Sequence, residues 1–241
     1  IPSGRAPHRV ATASAQALRW SSQGDMQTAD PHSQNETLTN NLNAQVYERL
    51  VGRDKQLNLV PTLATEWTQV RPLLWRLKLR PGVKSHDGPP FAADDVVFSI
   101  QRAKEPSSQI AVYAAAVGTP RKVDDLTVEF QLEKVNPIFL QHLDTIYIMS
   151  RKWAEQHKVS RPQNFKDKEE TYAATHANGT GPYLLASREP GIRTVFKRNP
   201  NWWGKFEGNV QESVFTPIGT DATRLAALVS EGVLAIESRK G

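Results

Sequence analysis

Alternation of apolar and polar positions marks several strands along the chain. Leu73, Trp75, Leu77 and Leu79 alternate with Leu74, Arg76, Lys78 and Arg80, giving a half-buried strand with one wet, basic face. Val128, Phe130 and Leu132 alternate with Thr127, Glu129 and Gln131 in another, after a turn at Asp124-Asp125. Residues 18–22, 182–187, 192–198 and 213–218 read as further strands, with Pro190-Gly191 turning one hairpin. Between them the period lengthens. Leu38, Leu42, Val46 and Leu50 form one helical stripe behind Ser33 and Glu36, whose spacing fits a capping box. Pro61 suits the first turn of a short helix reaching Trp67. Asp94 and Asp95 fall in the first turn of a helix carrying Val96, Val97 and Ile100, where carboxylates complement the helix dipole. Asn136-Pro137 opens a helix through Leu143, Ser150 caps the next, and Thr220 caps one through Val229. Residues 160–178 are polar and irregular, and nothing repeats with a period of 20–50 residues. The order of elements predicts a mixed α/β (α+β) fold with both hairpins and strand–helix crossovers.

Charge and composition change this picture little. The 241 residues carry a formal charge of +5, which raises the question of a nucleic-acid partner. Its distribution argues against one: residues 1–20 hold Arg5, Arg9 and Arg19 and no acid, and the rest is nearly balanced. The absence of cysteine excludes disulfides, thiolate metal sites and a cysteine nucleophile. Apolar runs are short and broken by charge, so none is long enough to span a membrane as a helix. Ala15-Gln16-Ala17 has the small-x-small form of a signal-peptidase site, but no apolar stretch precedes it within residues 1–10. Residues 1–17 therefore read either as the end of an export signal or as an alanine-rich leader.

Candidate chemistry is sparse. Asn178-Gly179-Thr180-Gly181-Pro182 suggests a phosphate cradle at first sight. It lacks the lysine such a loop needs, and Pro182 removes a backbone donor. An apolar strand follows rather than a helix, so the glycines read as a turn that serves an unusual backbone path. His8, His32, His86, His142, His157 and His176 never pair at helical metal-ligand spacing. His86-Asp87 are neighbours whose side chains diverge on extended backbone. No Gly-x-Ser-x-Gly elbow is present, and Trp67, Trp75 and Trp153 fall in patterns that core packing explains. No catalytic constellation, cofactor or metal is expected.

Several segments together resemble the N-terminal lobe of the family 5 extracellular solute-binding proteins, the dipeptide/oligopeptide type that serves ABC importers. They are Tyr47-Glu48-Arg49-Leu50-Val51, then Leu59-Val60-Pro61-Thr62-Leu63-Ala64-Thr65-Glu66-Trp67 and Leu77-Lys78-Leu79-Arg80-Pro81-Gly82-Val83-Lys84. His86-Asp87-Gly88 and Ala93-Asp94-Asp95-Val96-Val97-Phe98-Ser99 follow. Gly179-Thr180-Gly181-Pro182-Tyr183, Arg198-Asn199-Pro200-Asn201-Trp202-Trp203-Gly204 and Asp221-Ala222-Thr223-Arg224-Leu225 complete the set. The resemblance covers about residues 18–230.

That resemblance implies a periplasmic-binding-protein-like lobe with a mixed sheet. Residues 18–45 and 175–241 form its discontinuous core, and 46–174 an inserted subdomain. It implies a non-enzymatic, exported (periplasmic) protein that captures peptides or other small solutes by hinge closure and hands them to ABC permease subunits. Nickel-chelate and oligosaccharide binders share the fold. The loop after the first strand, with Gln23, Gly24, Asp25, Met26 and His32, is the ligand-binding candidate. Departures also stand out. Family members run to about twice this length, with a second lobe carrying the aspartate that takes a peptide's α-amino group. Here Ser230-Glu231-Gly232-Val233-Leu234-Ala235 replaces the usual Ser-Gly-Glu-Val-Asp form, Ser85 replaces an aromatic, and the chain ends at Gly241. The expectation is a truncated binding protein with its second lobe missing. The alternative is an interaction module that keeps the lobe fold without transport.

Overall fold

The computed structural model describes residues 16–230, 233, 235 and 236, so the reading of residues 1–17 as a tail lies almost wholly outside the described part. Strand β1 (Gln16–Ser22) is the first element. It pairs in parallel with β10 (Val210–Pro217) and β11 (Ala235–Ile236), about two hundred positions away in sequence. Antiparallel β9 (Arg193–Arg198) and β8 (Tyr183–Glu189) complete a five-stranded mixed sheet in the order β11-β1-β10-β9-β8. Its hairpin turns at Gly191, whose φ of 75° suits glycine. A second, antiparallel sheet has the order β4-β5-β7-β6, from β4 (Ala64–Arg71), β5 (Leu74–Leu79), β6 (Thr119–Asp124) and β7 (Thr127–Gln131). A small ribbon joins β2 (Val51–Arg53) and β3 (Leu59–Pro61).

Among the described residues six α-helices pack around these sheets: α1 (Thr37–Asn43), α2 (Ala93–Ala103), α3 (Ala111–Ala116), α4 (Phe139–Leu143), α5 (Arg151–Gln156) and α6 (Asp221–Val229). The apolar face of α2, with Val96 and Ile100, meets Leu77, Val128 and Phe130 from the four-stranded sheet in one buried cluster. A second cluster gathers Met26, Leu38, Leu42, Val46, Tyr47, Trp153, Phe196 and Phe215 beside the five-stranded sheet. The chain passes from the second cluster to the first between Tyr47 and Leu50. Ile146 and Ile148 then point into the first cluster, and Tyr147 and Met149 into the second. This is the alternation of extended backbone lying between two cores. The two crossings are paired, Ile148 N–H donating to the Glu48 carbonyl at 2.9 Å.

Three sequence expectations change. Residues 61–67 are not a helix: Pro61 closes β3, and Trp67 lies opposite Leu77 in β4. The cross-strand partner, together with β-branched Thr65, Thr68 and Val70, outweighs the proline signal. The stripe Leu38–Leu42–Val46–Leu50 is buried throughout, but the helix stops at Asn43. Glu36, not Ser33, is its N-cap, each carboxylate oxygen accepting one of the Leu38 and Thr39 N–H groups at 2.9 and 2.8 Å. On β7 both faces are covered: Glu129 lies beneath Arg76 and Arg121, which both bond its carboxylate.

The Gly179–Gly181 stretch is a close-approach turn. Gly181 N–H donates to the Val46 carbonyl and Tyr183 N–H to the Gln45 carbonyl, both at 2.9 Å. A Cβ on Gly179 would stand 2.1 Å from the Val46 oxygen, and one on Gly181 2.7 Å from it. Gly208, by contrast, has no heavy atom within 4 Å of an added Cβ. Gly179→Ala is expected to lower unfolding stability by about 1–3 kcal/mol, because backbone must move to admit the methyl group. Gly208→Ala is expected to stay within about 0.5 kcal/mol. Urea denaturation midpoints of the two variants check this, and equal effects would refute the close-approach account.

Candidate functional site

A cavity of about 1000 Å³ opens at the carboxyl end of β1. Parallel strands in open sheets leave loops and unpaired backbone at this end, which is where ligand crevices form. Pairing stops at Ser22, whose carbonyl accepts Ile218 N–H at 2.9 Å, and the chain turns away as Gln23, Gly24, Asp25, Met26 and Gln27. The loop is pinned at three points. Asp25 accepts Met26 N–H at 2.8 Å and, with its other oxygen, Gly191 N–H at 2.7 Å, tying the loop to the β8–β9 turn. Gln27 N–H donates to Thr39 Oγ1 on α1 at 3.0 Å. Arg188 donates to the Met26 carbonyl and, at 3.1 Å, to the Ala174 carbonyl. The first turn of α1, with its capping Glu36, closes another side of the cavity.

Four of the five candidates from sequence thus come together. Gln23 and Gly24 are exposed, Asp25 is half-buried, and Met26 is buried with its side chain in the second core. His32 is elsewhere. It is fully buried and belongs to a polar network beneath the loop rather than to the cavity lining. In that network Arg102 grips Asp30 with two bonds of 2.8 and 2.6 Å, both side chains being sealed from solvent. Arg102 also donates to the carbonyls of Val159 and Arg161 at 3.0 Å each. Asp30 further accepts the N–H groups of His32 and Gln163. His32 Nδ1 faces an Arg102 N–H at 3.0 Å, so it is the accepting nitrogen, and Nε2–H donates to the Tyr147 carbonyl at 2.9 Å.

The electrostatics follow from burial. For Asp30 burial alone would raise the carboxyl, but the Arg102 charge and hydrogen bonds outweigh it and bring the pKa down to about 2. For His32 burial and the Arg102 charge act together and hold the pKa down to about 4. Glu48 is a third internal carboxylate. Burial raises its pKa against opposing hydrogen bonds from Trp203, Thr180 and Trp202, at 2.9, 2.8 and 3.2 Å. Glu48 therefore links the Tyr47–Leu50 crossing to the glycine turn and the Trp202-Trp203 pair. Among the described residues no three His, Cys, Asp or Glu side chains gather as a metal site. His86 serves the turn, its Nε2 lying 3.0 Å from the Gly181 carbonyl.

Sequence reasoning missed Arg188 and Glu36 as cavity residues. The Pro190-Gly191 signal beside Arg188 speaks only of a hairpin, and Glu36 reads as a helix-start acid. Neither signal points to a cavity.

His32 makes stability depend on pH with a definite sign. Its folded pKa of about 4 lies below the ordinary 6.5, so the unfolded chain binds the proton first. Stability is full above about pH 6.5 and falls as pH drops toward 4, by roughly 2–3 kcal/mol at pH 4.5 from this group alone. Asp30, held down to about 2, adds a further loss below about pH 4. Urea denaturation of the protein and of His32→Gln at pH 7 and 4.5 checks this. The variant is expected to lose less on acidification, and parallel losses would exclude His32 as the source.

The family model described as bacterial extracellular solute-binding proteins, family 5 Middle, matches residues 58–239. The glutathione-binding protein GsiB of Pectobacterium atrosepticum is 26% identical over 202 residues, covering 83% of this chain and 37% of the relative. The periplasmic oligopeptide-binding protein OppA of Salmonella typhimurium is 25% identical over 237 residues, covering 90% of this chain and 42% of the relative. Among solved structures, MoaA from A. tumefaciens R10 in complex with mannopinic acid superposes with a TM-score of 0.81 at 24% identity. The match covers 94% of this chain and 45% of that one. The chain thus spans about two-fifths of the length of the curated relatives it matches.

Proposed function

The chain belongs to the bacterial extracellular solute-binding proteins of family 5, and from that premise we propose that it supplies one wall of a solute site for an ABC importer. The ligand class is peptides or related small solutes, the setting periplasmic, and the onward partner an ABC permease in the membrane. The ligands for which the relatives are named, glutathione and oligopeptides, support a peptide-like solute. No helix among the described residues is long and apolar enough to cross a membrane.

The observation that carries this reading is the cavity at the end of β1, walled by a loop whose own polar groups are largely committed to holding its shape. Gln23, Gly24, Asp25 and Met26 are assigned to ligand contact, and His32 supports them from beneath through Asp30. The architectural reading is kept as well: a discontinuous core of 18–45 and 175–241, with 46–174 inserted. Parallel pairing of β1 with β10 and β11 favours it. The packing of Trp153, Val159 and Ala173 in the second core draws part of the inserted span onto the first wall.

One wall buries only part of a solute, and affinity in such sites comes from enclosing most of the ligand surface. Tri-alanine is therefore expected to bind the 241-residue chain more weakly than about 1 μM, about −8 kcal/mol. Amide resonances of residues 23–27 and 36–38 are expected to shift in a heteronuclear NMR titration, while those of β4–β7 stay fixed. Shifts confined to the four-stranded sheet, or submicromolar stoichiometric binding, would overturn the assignment.

A further inference from the structure

The two fully buried guanidinium groups among the described residues answer carboxylates. Arg102 answers Asp30, and Arg224 answers Asp221. Arg188 lines the β1 cavity and is half-buried, yet no carboxylate lies within ion-pair distance of it among the described residues. Its two hydrogen bonds go to the neutral carbonyls of Met26 and Ala174, and its Nε has no partner. A guanidinium carries five donors, so three remain unused. The acids around it are committed elsewhere. Asp25, the nearest charge to bear on it, spends one oxygen on Met26 N–H and the other on Gly191 N–H. Glu36 spends both oxygens on the start of α1.

A cation removed from water without a counter-ion costs free energy, and burial does lower the pKa of Arg188. A structural clamp between two carbonyls needs hydrogen-bond donors but no charge. The charge is accounted for if the cavity's occupant brings a negative group. Resting on the solute-binding reading above, we propose that Arg188 receives a carboxylate of the ligand, so that this wall selects anionic solutes over their neutral analogues. The planar fork matches a carboxylate, and the grip on Met26 and Ala174 fixes its orientation before ligand arrives.

The test compares tri-alanine with tri-alanine amide, which differ only in the terminal carboxylate, on the full 241-residue chain. The readouts are calorimetry and the Arg188 Nε–H resonance. The free acid is expected to bind roughly fivefold more tightly, the worth of a partly solvated ion pair. It is also expected to shift the Arg188 resonance, which the amide leaves in place. Arg188→Gln is expected to equalise the two peptides while an amide spectrum confirms its fold. Should that variant fail to fold, the wild-type resonance still decides. Equal binding of both peptides with an unmoved resonance overturns the carboxylate assignment and leaves the solute-binding reading standing. Binding of neither at millimolar concentration overturns both.

Discussion

The carbonyl of Val46 is the point on which much of this structure turns. Two glycines approach it so closely that no side chain fits at either, and Gly181 bonds it directly. That contact lies three residues beyond the end of α1 and joins the segment leaving the helix to a strand-launching turn 135 residues further on. It also sets where the chain leaves one core for the other. Glu48 follows at once and receives Thr180, Trp202 and Trp203. A carboxylate drawn partly out of water costs free energy unless hydrogen-bonded, so these three donors stabilise the crossing. The crossing, the glycine turn and the tryptophan pair are therefore one mechanical unit.

What the sequence disclosed follows from how local each signal is. The β8–β9 hairpin, α2 with its acidic first turn, and the Thr220 cap depend on residues within a turn of one another. All three were legible. Gly179–Gly181 could be recognised as structural because the phosphate-binding alternative makes demands that the local residues fail. The stretch from Pro61 to Trp67 was misread because its partner, β5, lies beyond the next turn, and strand pairing rather than intrinsic preference decides such segments. Burial of Glu129 was hidden for a similar reason, since the arginines covering it come from two other strands.

At the site the same rule divides the residues. Gln23 to Met26 form one continuous loop, so placing the loop places all four. His32, six residues beyond Met26, is drawn inward by an arginine seventy positions away, and no local pattern announces that pairing. Arg188 reaches the cavity because the β8–β9 hairpin is tied to the loop after β1, a long-range contact that leaves no mark beside it.

The buried ion pair and the cavity arginine illustrate two opposite uses of the same side chain. Arg102 is neutralised within the fold, so its energetics are settled before any ligand arrives, and removing its partner would strand a charge in the core. It fixes Asp30, and through Asp30 the backbone of His32 and Gln163, which anchors the far end of the loop that begins at Gln23. Arg188 holds the near end of that loop by neutral carbonyls and keeps its charge unspent. A loop anchored at both ends loses little freedom when a solute settles on it, which lowers the entropic cost of binding. Arg102 consequently contributes to the rigidity of this wall alone, whereas Arg188 contributes both to its rigidity and to the charge it presents.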